Sequence, residues 1–265
     1  MDPFSEGYGT GIAVSAHRWS ACIVLFATIL CSVLVSAVFA QDAVPAEILR
    51  RTLFIKVGNE AGTAFTLDYR DKLYLVTAKH LVAGLPMSGA TLQVWRSNKW
   101  EDYHTVKTLF PPSDNVDIAV FETDEKFSEP FQVTATQGKE GGTFGQQVWF
   151  LGYPWGMGSR FSDDQLPFIK KGTMSAIDST DPNAVVLYID GFNNPGFSGG
   201  PIVYWDFRSR AYRILGVVKG YREDTAKVLV NGVRMDTQLL VNSGILVGYS
   251  IKHVIQAIDQ DRNIP

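Results

Sequence analysis

The octapeptide Asn194-Pro195-Gly196-Phe197-Ser198-Gly199-Gly200-Pro201 sets a serine among glycines. Glycine has no Cβ and reaches backbone conformations closed to other residues, so such a loop bends sharply and can aim successive N–H groups at one point. A serine hydroxyl beside two such groups supplies a nucleophile and an oxyanion hole together: Ser198 with the amides of Gly196 and Ser198. The plainer reading of Pro-Gly and Gly-Gly is a surface turn, and a lone Gly-x-Ser-x-Gly does not separate the two. A serine alone is a poor nucleophile; it needs a base within hydrogen-bond reach and an acid to fix that base's tautomer. The chain offers both upstream. The strand-like run Leu73-Tyr74-Leu75-Val76-Thr77-Ala78-Lys79 ends at His80, and Asp117 opens a second run, Asp117-Ile118-Ala119-Val120-Phe121.

Gly-x-Ser-x-Gly also marks the nucleophile elbow of α/β-hydrolases, where a strand turns into a helix and the partners follow in the order Ser, acid, His. Here Pro201 is followed by Ile202-Val203-Tyr204-Trp205, a β-branched and aromatic run that reads as strand. The order is His80, Asp117, Ser198. At this point the chain resembles the trypsin-like serine proteases. Val76-Thr77-Ala78-Lys79-His80, Asp117-Ile118-Ala119-Val120 and Gly196-Phe197-Ser198-Gly199-Gly200-Pro201 look like that family's three blocks. Gly62-Thr63-Ala64-Phe65, Leu151-Gly152-Tyr153-Pro154-Trp155-Gly156, Gly172-Thr173-Met174-Ser175-Ala176 and Gly248-Tyr249-Ser250-Ile251 bring it nearer the HtrA/Deg group, with no PDZ domain expected after them.

The resemblance implies a serine endopeptidase acting on proteins or peptides without a cofactor. Ser198 would attack the carbonyl, His80 would shuttle the proton, Asp117 would orient His80, and the amides of Gly196 and Ser198 would hold the oxyanion. Two departures bear on specificity. Phe197 stands where trypsin has the aspartate that grips a freed N-terminus. Phe192 stands where trypsin's pocket floor is acidic, so a small or apolar P1 pocket is expected, with Lys219, Gly220 and Tyr221 lining the substrate strand. Two rival readings remain: a catalytically silent, peptide-binding member of the fold, and an α/β-hydrolase esterase using Ser198, Asp224 or Asp236, and His253.

Other candidates read more plainly. Asp114, in Pro112-Ser113-Asp114-Asn115, suits turn chemistry. His17 precedes the catalytic region, His104 suits an exposed strand position, and His253 suits the surface of a terminal helix. No His/Cys cluster has metal-ligand spacing, so no metal is expected. The glycines between Gly138 and Gly145 lack the ending of a phosphate-binding loop. A net charge of −3 over 265 residues makes no electrostatic case for nucleic acid.

The elements that must carry these residues are strands. Leu53–Val57, Thr63–Leu67, Lys72–Ala78, Thr91–Trp95, Tyr103–Phe110 and Asp117–Phe121 form a first set. Gln147–Leu151, Phe168–Ile177, Ala184–Ile189, Ile202–Trp205, Arg213–Val218 and Leu246–Ile251 form a second. Short strands separated by turn signals predict an all-β fold; the resemblance makes it two six-stranded antiparallel barrels, about 50–125 and about 140–251, joined near Thr136–Gly142. A short helix is expected within Ala43–Arg51 and another over Ile251–Ile258. The charge-free run Trp19–Ala40 before Gln41-Asp42 reads as a signal peptide or, uncleaved, a membrane anchor. Either way residues 41–265 are expected to be exported, periplasmic or secreted. The two cysteines, Cys22 and Cys31, both lie in that run, so no disulfide is expected in the catalytic part.

Overall fold

The computed structural model describes residues 43–124, 143–161 and 164–262. The expected leader or anchor and the expected junction at Thr136–Gly142 lie outside the described residues. Among the described residues no helix is long and apolar enough to cross a membrane.

A short helix α1 (Ala46–Arg50) leads into the first sheet. Its strands are β1 (Thr52–Val57), β2 (Glu60–Tyr69), β3 (Lys72–Thr77), β4 (Thr91–Arg96), β5 (Lys99–His104), β6 (Lys107–Leu109) and β7 (Ala119–Glu122). They are ordered β5-β4-β1-β2-β3-β7-β6, seven strands where six were expected. The extra one comes from the stretch Tyr103–Phe110, which breaks at Thr105-Val106: β5 pairs with β4, whereas β6 pairs with β7. The second sheet is a closed barrel of six strands. In chain order these are β8 (Gln147–Gly152), β11 (Phe168–Asp178), β12 (Val186–Asp190), β13 (Pro201–Asp206), β14 (Ala211–Val230) and β15 (Val233–Ser250). A small hairpin, β9 (Ser159–Phe161) and β10 (Asp164–Leu166), sits between β8 and β11. Helix α2 (Lys252–Asp261) closes the described chain.

Three hairpins share one turn chemistry. Arg70-Asp71, Ser97-Asn98 and Asn231-Gly232 each place two successive residues at positive φ, 49° and 62°, 48° and 61°, 50° and 78°. Two left-handed residues match the right-handed twist of the flanking strands, which fixes the register of each pair.

The barrel interiors are separately packed. Ile55, Leu75, Leu92, Val94 and Phe121 fill the first, and Phe150, Met174, Ile189, Ile202 and Leu246 the second. A further cluster takes Phe65, Leu67 and Val76 from the first sheet and Leu151, Val203 and Tyr249 from the second. Helix α2 adds Val254 and Ile258 to it. The opposite faces of the strands around the cleft are thus buried against each other.

Candidate active site

His80 and Asp117 are neighbours because their strands are. Thr77 on β3 pairs with Ala119 on β7. His80 lies three residues beyond that pair, in a single 3₁₀ turn (Lys79–Val82), and Asp117 two residues before it. The two therefore emerge from the same end of adjacent strands. One carboxylate oxygen of Asp117 meets His80 Nδ1 at 2.6 Å; the other accepts the His80 backbone N–H at 2.9 Å. The rival acid Asp114 is fully exposed and pairs with Lys79 at 3.1 Å. Burial would raise the Asp117 pKa, but the ring and backbone hydrogen bonds from His80, with the Lys219 charge, outweigh it and hold the carboxyl below its ordinary value. Asp117 is 17% exposed and His80 47%, so the acid is sheltered and the ring faces solvent.

Ser198 lies just before β13, in a loop held from both sheets. Gly199 N–H donates to Val218 O at 2.8 Å, and Val218 N–H donates to Gly200 O at 2.9 Å. Phe197 anchors the loop: it is fully buried in the second barrel, 5.3 Å from the ring of Phe150. Burial of such a side chain contributes about 2–3 kcal/mol. From the first sheet, Thr63 reaches the loop twice. Its N–H donates to Ser198 O at 3.0 Å, and its hydroxyl donates to Gly196 O at 2.7 Å. The same hydroxyl accepts the N–H of Tyr153 at 3.1 Å.

These bonds orient two amides. Trp155 N–H donates to Pro195 O at 3.0 Å, and Gly200 N–H to Phe197 O at 2.9 Å. In a trans peptide the N–H points opposite to the preceding carbonyl, so the Gly196 and Ser198 N–H groups face away from those partners. Neither has a backbone acceptor. Gly196 sits at φ 102°, and a Cβ there would come within 2.2 Å of Tyr153 O, so only glycine fits. The Ser198 hydroxyl donates to Lys219 O at 3.0 Å.

Lys219, Gly220 and Tyr221 line, with His80, Asp117 and Val247, a cavity of about 200 Å³. Phe192 does not join them. It is 56% exposed and stands 5.5 Å under the Lys170 ammonium. Lys170 was not singled out from the sequence. Its ammonium donates to Phe192 O at 2.8 Å and to Asn194 Oδ1, pinning the approach to the Ser198 loop; burial lowers its pKa. One of two adjacent lysines in Phe168-Ile169-Lys170-Lys171-Gly172, it carried no signal of this.

His253 is corrected. It is fully buried; Nε2 accepts the Val185 N–H at 2.9 Å, leaving the Nδ1 proton for Gln256 Oε1 at 2.8 Å. Burial lowers its pKa. Both ring nitrogens are spent, and Asp224 and Asp236 are exposed on a distant part of β14 and β15, so the constellation required of an α/β-hydrolase is not assembled. His104 is exposed on β5, as expected, beside Thr91. Among the described residues no group of His, Cys, Asp and Glu could hold a metal ion.

The model of the trypsin-like peptidase domain matches residues 62–208. No curated protein matches the chain. Among solved structures, the active form of the Rv3671c protease from M. tuberculosis is similar at a TM-score of 0.52 and 18% identity, over 80% of this chain and 81% of that one. Its inactive form gives a TM-score of 0.51 and 17% identity, over 81% and 90%. The HtrA-type protease AlgW with a tripeptide gives 0.51 and 19%, over 81% of this chain and 62% of that one. At such identities the likeness is one of fold: two β-barrels and a terminal helix.

Proposed function

The chain belongs to the trypsin-like peptidase family, and on that premise we propose that it is a serine endopeptidase working through His80, Asp117 and Ser198. The observation that carries this is the double hydrogen bond from His80 to the Asp117 carboxylate. It fixes the proton on Nδ1 and leaves Nε2 as the base. Ser198 Oγ loses its proton to His80 Nε2 as it attacks the substrate carbonyl, and His80 returns that proton to the leaving amine. The two amides without a backbone acceptor, Gly196 and Ser198, receive the oxyanion. Exported, peptide-cleaving work suits the apolar segment Trp19–Ala40, whether it serves as leader or anchor.

One observation favours the silent, peptide-binding reading: the resting Ser198 hydroxyl is spent on Lys219 O. Catalytic hydrogen bonds often align only with substrate present, and a substrate strand beside Lys219 would compete for that carbonyl and release the hydroxyl to His80. A fluorophosphonate probe decides. Labelling mapped to Ser198, together with casein cleavage lost in Ser198→Ala, supports the peptidase; an unlabelled, folded wild-type chain supports the silent form.

A further inference from the structure

Beyond the barrel, β14 and β15 continue as a two-stranded ribbon to the turn at Asn231-Gly232. Pairs such as Asp224↔Val241, Ala226↔Leu239 and Val230↔Val233 put these residues on one face, since opposite residues share a side and the side-chain period is two. That face carries Val230, Val233, Met235 and Leu239 at 47–64% exposure, with Asp224, Thr237 and Ser243 as its polar members. The other face carries Lys227, Arg234, Asp236 and Gln238, with Leu229 and Leu240 as its apolar members. One face of the ribbon is therefore mostly apolar and bare, the pattern of a binding surface.

The apolar row has a direction. On β15 it runs Val233, Met235, Leu239, Val241, Ile245 and Val247 at odd positions, broken by Thr237 and Ser243, and Val247 lines the cavity with His80 and Asp117. The irregular stretches of β15 insert residues in pairs, between Glu223↔Asn242 and Tyr221↔Leu246 and again between Lys227↔Gln238 and Leu229↔Arg234, so the row stays on one side. Area discriminates between occupants. About 10 residue pairs at about 3.4 Å give a ribbon about 34 Å long, and two strands make a face about 10 Å wide, hence about 350 Å². A stable complex between two folded chains buries about 800 Å² per partner. The face is too small to hold a second copy, but it is long, narrow and continuous with the cavity, which fits an extended chain. Asn242 ties the ribbon base to the nucleophile loop, its Nδ2 donating to Asn193 O at 2.5 Å.

We propose that this ribbon is a docking arm for an unfolded, apolar flank of the polypeptide being cut, outside the cavity itself. The inference rests on the peptidase reading. It is tested on the full chain with two fluorogenic peptides sharing one cleavable core taken from casein, one bare and one extended by an apolar–polar alternating flank of about 8 residues. In the wild type the flank lowers KM about tenfold, and Met235→Ser/Leu239→Ser/Val241→Ser removes that advantage, leaving the bare peptide and fluorophosphonate labelling unchanged. Leu229→Ser/Leu240→Ser, on the opposite face, keeps it. The arm is overturned if the flanked-to-bare ratio survives the triple substitution, if the opposite-face variant loses as much, or if sedimentation or pelleting with phospholipid vesicles shows that the row instead holds a dimer or a membrane. If Ser198 is unlabelled and neither peptide is cut, the peptidase reading itself has failed and the arm falls with it.

Discussion

Replacing Asp117 with asparagine exchanges one carboxylate oxygen for an NH₂ group and tests the site most sharply. The amide oxygen of the new side chain can still accept the His80 backbone N–H now held at 2.9 Å. Its NH₂ group then faces His80 Nδ1, across the present 2.6 Å contact, and can only donate. His80 must become the Nε2–H tautomer, which cannot take a proton from Ser198. The variant also loses the negative charge beside the imidazolium that forms during turnover. At an effective dielectric of about 20 and about 4 Å between charge centres that is worth about 4 kcal/mol, or about 10³-fold in rate. With the tautomer change, Asp117→Asn should lower kcat by about 10³–10⁴-fold, with KM altered less than tenfold. The assay is steady-state cleavage of a short peptide, with circular dichroism confirming the fold. Retention of more than a tenth of wild-type kcat would refute the roles given to His80 and Asp117. Stability supplies a second readout. A carboxyl whose folded pKa is depressed stabilises the protein above its unfolded pKa, and that contribution is lost as pH falls through the folded value. The wild-type advantage in urea midpoint over the variant should therefore be present at neutral pH and vanish on acidification below the ordinary carboxylate range.

Three other outcomes are expected. Thr63→Val keeps the volume but removes the hydroxyl shared by Gly196 O and Tyr153 N–H; a stability loss of about 1–3 kcal/mol and a fall in kcat exceeding the change in KM would be read by denaturation and by peptide kinetics. Gly199→Ala puts a Cβ 2.1 Å from Thr63 O at φ 83°; overpacking and left-handed strain together should cost about 2–5 kcal/mol, and an unchanged melting midpoint would contradict the loop geometry. His253→Gln should preserve activity and flatten the pH dependence of stability: burial depresses the His253 pKa, so the unfolded chain binds its proton first and wild-type stability falls as pH drops below the ordinary histidine range. Equal urea midpoints for wild type at neutral and mildly acidic pH would contradict it.

The site was legible where one residue type has few reasons to stand. Ser198 among glycines, His80 closing an apolar run and Asp117 opening one are costly choices unless they are used; His80 and Asp117 line one cavity with Lys219, whose carbonyl takes the Ser198 hydroxyl. Barrel strands were legible from alternation. The ribbon was not, because Arg213–Val218 and Leu246–Ile251 were ended where their continuous apolar character stops; yet Asn231-Gly232 between alternating stretches is a strong hairpin signal. Phe192 was placed only by its distance from Ser198, which says nothing about which way a loop turns, and Lys170 bonds its carbonyl. His253 misled because a helix at the chain end suggests exposure, whereas α2 packs its Val254 and Ile258 into the cluster between the sheets.

His80 and Ser198 come from sheets that do not share a strand, so the proposed triad requires something to set one against the other. Apolar packing between the sheets is non-directional and cannot fix a hydroxyl to within a hydrogen bond. Thr63 can. It follows Gly62, where a Cβ would strike Leu81 at 2.4 Å, so β2 lies close beneath the turn that bears His80. Its carbonyl accepts the Thr77 hydroxyl at 2.7 Å on β3, the strand that delivers His80. Its N–H and hydroxyl hold the carbonyls of Ser198 and Gly196. One residue thus spends all its polar atoms joining the strand before His80 to the loop of Ser198. Three such bonds at about 1 kcal/mol each are small beside the core, but they are directional, and they act where, on the proposed mechanism, a displacement of an ångström would part His80 from Ser198.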